Sequence, residues 1–231
     1  MALYVFRNKP SKSAVAVAVA LRGLGINAKK VSRLPRRGTH SYVNWGTANV
    51  AGLNAVPTYG KYTENQKLVA AGVPTVLASL TPPAEQDAEW VWRTFSHHGG
   101  LDLLDQPTAR AQPGFWVYRE EIAKEYRIHV FQGVSVRAGR KEPLDPATSH
   151  PWIRSYDGGW RINYDGRGVK DKHREVAKAA TAALGLDFAA VDVAERADGT
   201  VFVLEVNRAP GAEGQTAVRY AERIKAWYEG N

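Results

Sequence analysis

The sequence predicts an α+β fold, and three observations carry that prediction. Two apolar, β-branched runs flank Asp198-Gly199 inside the stretch Leu186 to Gly211, the strongest short hairpin signal in the chain. Glu125 to Phe131 alternates cleanly, with Glu125, Arg127 and His129 on one face and Tyr126, Ile128 and Val130 on the other. Between such strands stand helical stretches closed by glycine: one from Ser11 or Ser13 to about Leu24, stopped at Gly25, and one capped by Asp171 and running to Leu184, stopped at Gly185.

The remaining elements follow in order. Leu3 to Phe6 is a short apolar strand. In the helix after it the Val-Ala alternation also fits a strand, but the alanine content and the terminal glycines favour helix. Ile26 to Val31 and Tyr42 to Trp45 read as strands around a basic loop, Arg33 to Arg37, so the opening has the look of an abbreviated βαβ unit. Lys61 to Ala71 is helical, with Gly72 as its stop and Pro74 beyond. Trp90 to Phe95 is a strand, Ser96 to Gly100 a loop, and Leu101 to Leu104 resumes apolar structure. Thr108 to Gly114 reads as a mobile segment and Phe115 to Tyr118 as a strand. Val134 to Val136 follows Gly133 as a hairpin partner, and Glu142 to Gly159 is a long loop rich in proline, serine and glycine. Trp160 to Tyr164 is a strand, and Thr216 to Tyr228 a terminal helix.

Composition narrows the function classes. The chain has 231 residues, 44% apolar and 23% charged, ordinary values for a soluble globular protein. It has no cysteine, which excludes disulfides and cysteine-ligated metals and fits a reducing cytoplasm. Ala14 to Leu21 after Lys9 and Lys12 looks in part like a signal peptide, yet a strand precedes it, and the run is far too short to cross a bilayer. A net charge of +8 favours an anionic partner: a nucleotide, an acidic peptide or nucleic acid.

The hairpin carries the chemistry. With Asp198-Gly199 as a two-residue turn, Ala197 faces Thr200, and counting outward sets Asp192 opposite Glu205, with Asn207 on the face of Glu205. The same count puts Ala190, Ala194 and Val203 on that face. Like charges directly opposite on a ladder repel. A divalent cation relieves this, and two carboxylates with an amide oxygen suit Mg²⁺. The plainer alternative is a surface hairpin with a solvated acidic face.

Three further constellations stand out. Arg93, with the backbone N–H groups of Gly99 and Gly100, could cradle phosphate oxygens, although such a loop is most often a plain turn, and His97 and His98 are most simply exposed loop residues. Glu125 and Arg127 can pair with each other, or can hold a ribose hydroxyl and an anion. Arg140, Lys141, Arg161 and Asn163 flank the long loop. Trp90, Trp92, Trp116, Trp152 and Trp160 could stack bases, but core packing explains the four in strands more simply. Helix-turn-helix, zinc-finger, Walker and serine-elbow signatures are absent.

Taken together these pieces resemble the ATP-grasp superfamily, in particular the glutamate-ligase-like branch that modifies protein C-termini and its small relatives in tailed phages. The most specific match is Ala190-Val-Asp-Val followed by Val203-Leu-Glu-Val-Asn-Arg-Ala-Pro-Gly211; Lys61 to Thr75, ending Gly-Val-Pro-Thr, and Trp92 to Gly100 are further matches. The resemblance covers roughly residues 40 to 231 and implies two α+β subdomains, 47–118 and 119–231, clamping ATP after a short βα unit, 1–46. It implies that Asp192, Glu205 and Asn207 ligate two magnesium ions. Lys61, Arg93, Gly99, Gly100, Arg140 and Lys141 would serve the nucleotide, with the backbone of Val117 and Tyr118 at the adenine and Glu125 at the ribose. Arg127, Arg161 and Asn163 would serve the transferred phosphoryl. The implied reaction joins a carboxylate, free or on a peptide, to an amine at the expense of ATP, on substrates that the positive charge suggests are acidic. No membrane is implied, and the compartment expected is the cytoplasm, a host's if the chain is phage-encoded. A kinase on the same fold, or a scaffold binding nucleotide or nucleic acid without chemistry, are the competing expectations.

Overall fold

A computed structural model describes residues 2–35, 40–47, 50–82, 89–95, 103 and 106–230. The chain first builds a parallel unit from β1 (Ala2–Phe6), α1 (Lys12–Gly23), β2 (Ala28–Val31) and β3 (His40–Asn44), with strand order β2-β1-β3. The Ser11 hydroxyl accepts from the Ala14 N–H and starts α1. Ala14, Val17, Ala18 and Leu21 are its buried positions, a helical stripe that settles the Val-Ala ambiguity.

A second, antiparallel sheet, β4-β6-β5, comes from β4 (Ala78–Ser79), β5 (Trp90–Thr94) and β6 (Gly114–Tyr118), with α2 (Lys61–Ala70) before it and α3 (Gln106–Arg110) within it. Two corrections arise here. The short helix α3 occupies part of the segment read as mobile, and β4 has no counterpart in the sequence reading. The expected phosphate loop, with His97, His98, Gly99 and Gly100, lies outside the described residues, as does most of Leu101 to Leu104.

The third sheet is five-stranded and antiparallel throughout, in the order β11-β10-β7-β8-β9. Its strands are β7 (Lys124–Phe131), β8 (Val134–Pro143), β9 (Trp160–Asn163), β10 (Phe188–Glu195) and β11 (Val201–Asn207); α4 (Asp171–Ala183) and α5 (Gln215–Glu229) complete the chain. The strand β8 runs well past Val136, so Arg140 and Lys141 are strand residues. Asp171 is the first residue of α4, not its cap: Lys170 takes that place, and its N–H donates to His173 Nδ1 at 2.8 Å.

The hairpin register came out right for a reason the sequence did not reveal. Gly199 N–H donates to Arg196 O (3.0 Å) and Arg196 N–H to Thr200 O (2.9 Å), so the loop holds three residues and the flanking pairs are offset by one from the two-residue turn. Val193 pairs with Val203 and Ala194 with Phe202. A bulge at Leu204 then restores the count, so Asp192 faces Glu205 and Ala190 faces Asn207. The bulge also corrects one expectation: Val203 belongs with Val191, Val193 and Val206 in the core against α4, on the face away from the acids.

The two faces of this sheet differ. One packs Ile128, Val130, Val191 and Val193 on Val176, Ala177 and Ala180 of α4. The other is graded along the strands. At one end Phe131 and Phe188 join Trp45 and Tyr220 in a core shared with β1 and α1. His129 lies in the middle, and Arg127, Glu125 and Asp192 lie at the other end.

Candidate functional site

The charged end of the graded face is a built ion network. Arg127 on β7 sits directly opposite Asp192 on β10, and its guanidinium grips the carboxylate at both oxygens, Nε to Oδ1 at 2.7 Å and Nη2 to Oδ2 at 2.8 Å. Lys141 on β8 reaches Asp192 Oδ2 at 3.1 Å and also donates to Glu125 Oε1. The side chains of Asp192 and Glu125 are each only 5% exposed. Burial opposes ionisation of Asp192, but Arg127 and Lys141 together outweigh it and hold the carboxylate well below its ordinary range. For Glu125 burial prevails: with repulsion from Asp192, and against the pull of Lys141, it raises the carboxyl above its usual value.

A third cation reaches in from α2. Lys61 Nζ lies 2.9 Å from Glu205 Oε1, 3.2 Å from Glu64 Oε2 and 3.0 Å from Val206 O. Burial pulls its ammonium down, yet the attraction of Glu205 and Glu64 raises it overall.

Behind the charged groups, His129 fixes a chain of donors. Tyr220 O–H donates to Ala189 O (3.2 Å), so His129 Nδ1–H donates to Tyr220 (3.1 Å) and Tyr164 O–H donates to His129 Nε2 (2.9 Å). Burial, reinforced by Arg127 and against the pull of Asp192, lowers His129 to about 3 and keeps it neutral. Gly139 makes room for Tyr164: a Cβ there would stand 2.6 Å from Asn163 O and 2.8 Å from the Tyr164 ring.

These groups line a cleft of about 1810 Å³ between the three sheets. Among the described residues ten lysine and arginine side chains face seven carboxylates in its wall, an excess of positive charge suited to a polyanion. Lys61, Arg93, Val117, Tyr118, Glu125, Arg127, Lys141, Arg161, Asp192, Glu205 and Asn207 all stand there. Arg140 and Asn163 do not: Arg140 alternates to the face away from Lys141, and the Asn163 amide donates to Glu142 and Asp165 at 3.2 Å each. Arg127 and Glu125 do not pair with each other; each has taken a partner on a neighbouring strand. Sequence reasoning missed Arg7, Glu64, Arg154 and Tyr164 in the wall, because nothing in their local pattern sets them apart. Of the tryptophans, Trp92 and Trp116 pack on each other, whereas Trp152 is 58% exposed under the Arg119 guanidinium.

The donor set is selective about metal. Among the described residues no three His, Cys, Asp or Glu side chains come together, which rules out a closed cage built from those side chains there. Two facing carboxylates with an amide two residues on fit Mg²⁺ of the kind that takes its other oxygens from phosphate and water. Among the described residues no helix is long and apolar enough to cross a membrane.

Comparison with known proteins bears on this arrangement. No family model matches the chain. It is 39% identical over 85 residues to a probable α-L-glutamate ligase of Klebsiella pneumoniae (strain 342), and 39% identical over 82 residues to one of Enterobacter sp. (strain 638). Those matches take in 33% and 32% of this chain but only 28% and 27% of the relatives' length. Among solved structures, ATP-grasp ligase PsnB complexed with minimal precursor, Mg and ADP superposes with a TM-score of 0.68 at 13% identity, covering 97% of this chain and 96% of that one. Macrocyclase MdnC bound with precursor peptide MdnA, from Microcystis aeruginosa MRC, gives 0.64 at 14% identity, with 98% and 100% covered. D-cycloserine synthetase DcsG gives 0.63 at 19%, with 98% and 99% covered. The fold is therefore that of the ATP-grasp ligases.

Proposed function

We propose that this protein is an ATP-dependent carboxylate–amine ligase that works through an acyl-phosphate and adds an amino acid to a peptide or protein. The observation that carries the reading is the facing pair Asp192 and Glu205, each already held by a cation, Arg127 or Lys61, in one positively charged cleft. The partial likeness to glutamate ligases, and the precursor peptides bound by PsnB and MdnC, support the substrate class.

In the proposed reaction a substrate carboxylate oxygen attacks the γ-phosphorus of ATP and ADP leaves. The amine nitrogen then attacks the acyl carbon, the C–O bond to phosphate breaks, and inorganic phosphate leaves as the nitrogen gives up a proton. Such chemistry depends on positioning and charge neutralisation, not on a protein nucleophile. Lys61 and Arg93 take outer phosphate oxygens. Arg127 and Arg161 stabilise charge on the transferred group, and Lys141 orients Glu125 toward the ribose. The backbone of Val117 and Tyr118 meets the adenine. Asp192, Glu205 and Asn207 would hold two Mg²⁺ ions, which neutralise phosphate charge when bound. Residues 47–118 and 119–231 act as the two halves of the clamp.

Incubation with ATP, Mg²⁺, pooled amino acids and peptides ending in glutamate tests this. ADP release that requires both carboxylate and amine, with a condensed product by mass spectrometry, is the expected result. A stable phosphorylated product with no amine requirement would replace the ligase by a kinase.

A further inference from the structure

The N-terminal parallel unit puts one cation into the cleft that the phosphate chemistry leaves unused. Arg7 directly follows β1, and Gly46 comes two residues after β3. With the order β2-β1-β3, the chain leaves the carboxyl ends of β1 and β3 at the point where the strand order switches, the place where open parallel sheets bind ligands. The Arg7 guanidinium donates to Trp45 O at 3.1 Å, and among the described residues its buried Nε has no hydrogen-bond partner. Among the described residues no carboxylate pairs with it, and burial alone displaces its pKa, downward. Arg127 in the same cleft is gripped by Asp192, and Arg208 is occupied by the carbonyls of Val56 and Pro57.

The backbone is shaped around this guanidinium. Gly46 sits at φ +72°, and a Cβ there would stand 2.1 Å from Arg7 Nη1 and 2.5 Å from the Ala209 Cβ. Only a bare backbone admits Arg7 at this spot, beside Ala209, which is two residues beyond Asn207 along the chain. We propose that Arg7 anchors a carboxylate of the acceptor substrate, an assignment that rests on the ligase reading above. Its planar fork matches a carboxylate's two oxygens, and the cations assigned to phosphate come from α2, β5, β7 and β9 instead.

Phenylglyoxal labelling of the wild-type protein, mapped by peptide mass spectrometry in AMPPNP and Mg²⁺, tests the site without turnover. L-glutamate, L-aspartate and succinate are the probes, with succinamide as the uncharged control. At least one carboxylate is expected to slow modification of Arg7 by about fivefold or more, and succinamide to have no effect. Equal protection by AMPPNP alone, or no protection by any of the three, would overturn the assignment. In the ADP-release assay Arg7→Gln should raise KM for the stimulating carboxylate about 10- to 100-fold, the range for a lost hydrogen bond to a charged group. ATP KM and kcat should stay within about threefold; an unchanged carboxylate KM would count against Arg7. If wild-type protein releases no ADP with any acceptor, the ligase reading fails, and the labelling result alone decides whether the anion site stands.

Discussion

Asp192 and Glu205 face each other across one ladder, yet they belong to different regions of the molecule. Asp192 sits on β10, inside the five-stranded sheet, with an almost fully buried side chain and three charged N–H contacts on its two oxygens. Glu205 sits on β11, beside a bulge, with its side chain 38% exposed. The outer edge of β11 is covered not by a strand but by one short segment, where Val203 N–H donates to Pro74 O (2.8 Å) and Thr75 Oγ1 donates to Val203 O (2.9 Å). The difference teaches that a cross-strand acid pair need not be a symmetric site. One member is part of the framework, and the other is presented by it.

The largest expected effect tests the framework half. Asp192→Asn leaves Arg127 buried beside a neutral amide, while Lys141 keeps only Glu125, and stranding buried charge typically costs about 3–5 kcal/mol. Urea denaturation at neutral pH should show a loss of that order. A loss under about 1 kcal/mol would mean that water reaches the site and that the contrast with Glu205 is false.

The next effect comes from His129, midway between the apolar and charged ends of the same face. The unfolded chain protonates this histidine below pH 6.5, whereas the folded protein resists until about 3. Between those values the unfolded state binds more protons, so the stabilisation is fully present above pH 6.5 and is lost as pH falls. At about 1.4 kcal/mol per pH unit, wild type should lose about 2 kcal/mol from this group between pH 6.5 and 5. His129→Gln cannot take up that proton, so its stability should fall less steeply over the window. Parallel profiles for the two proteins would remove the neutral histidine from the account.

How much of this was legible follows the range of each interaction. The helix α1 was legible because its stripe and its Ser11 cap are local. The short elements were not: α3 is five residues long with Pro107 in its first turn, and β4 is two, so neither has a period to read. The Asp192–Glu205 pairing was legible only because an unforeseen three-residue loop and an unforeseen bulge at Leu204 shift the register by equal and opposite steps. The ion partners were hidden. Glu125 and Arg127 sit two apart and look like a pair, but Asp192 is 65 residues from Arg127, and Lys141 is 16 from Glu125. Arg7 was hidden completely, since its setting is made by Gly46 and Ala209.

The smallest effect on stability should accompany the largest on activity. Glu205→Gln removes a half-exposed ion pair, and such pairs contribute roughly 0–1 kcal/mol. Lys61 keeps Glu64 and the Val206 carbonyl, so no buried charge is stranded. Melting should therefore barely change, while ADP release disappears, because an amide in place of the carboxylate halves the anionic donor set that two facing acids supply. An unfolded variant would place Glu205 in the framework beside Asp192. A folded variant with normal ADP release would leave the exposed acid without the magnesium role proposed for it, and with it the physical reason for the pair to face the cleft at all.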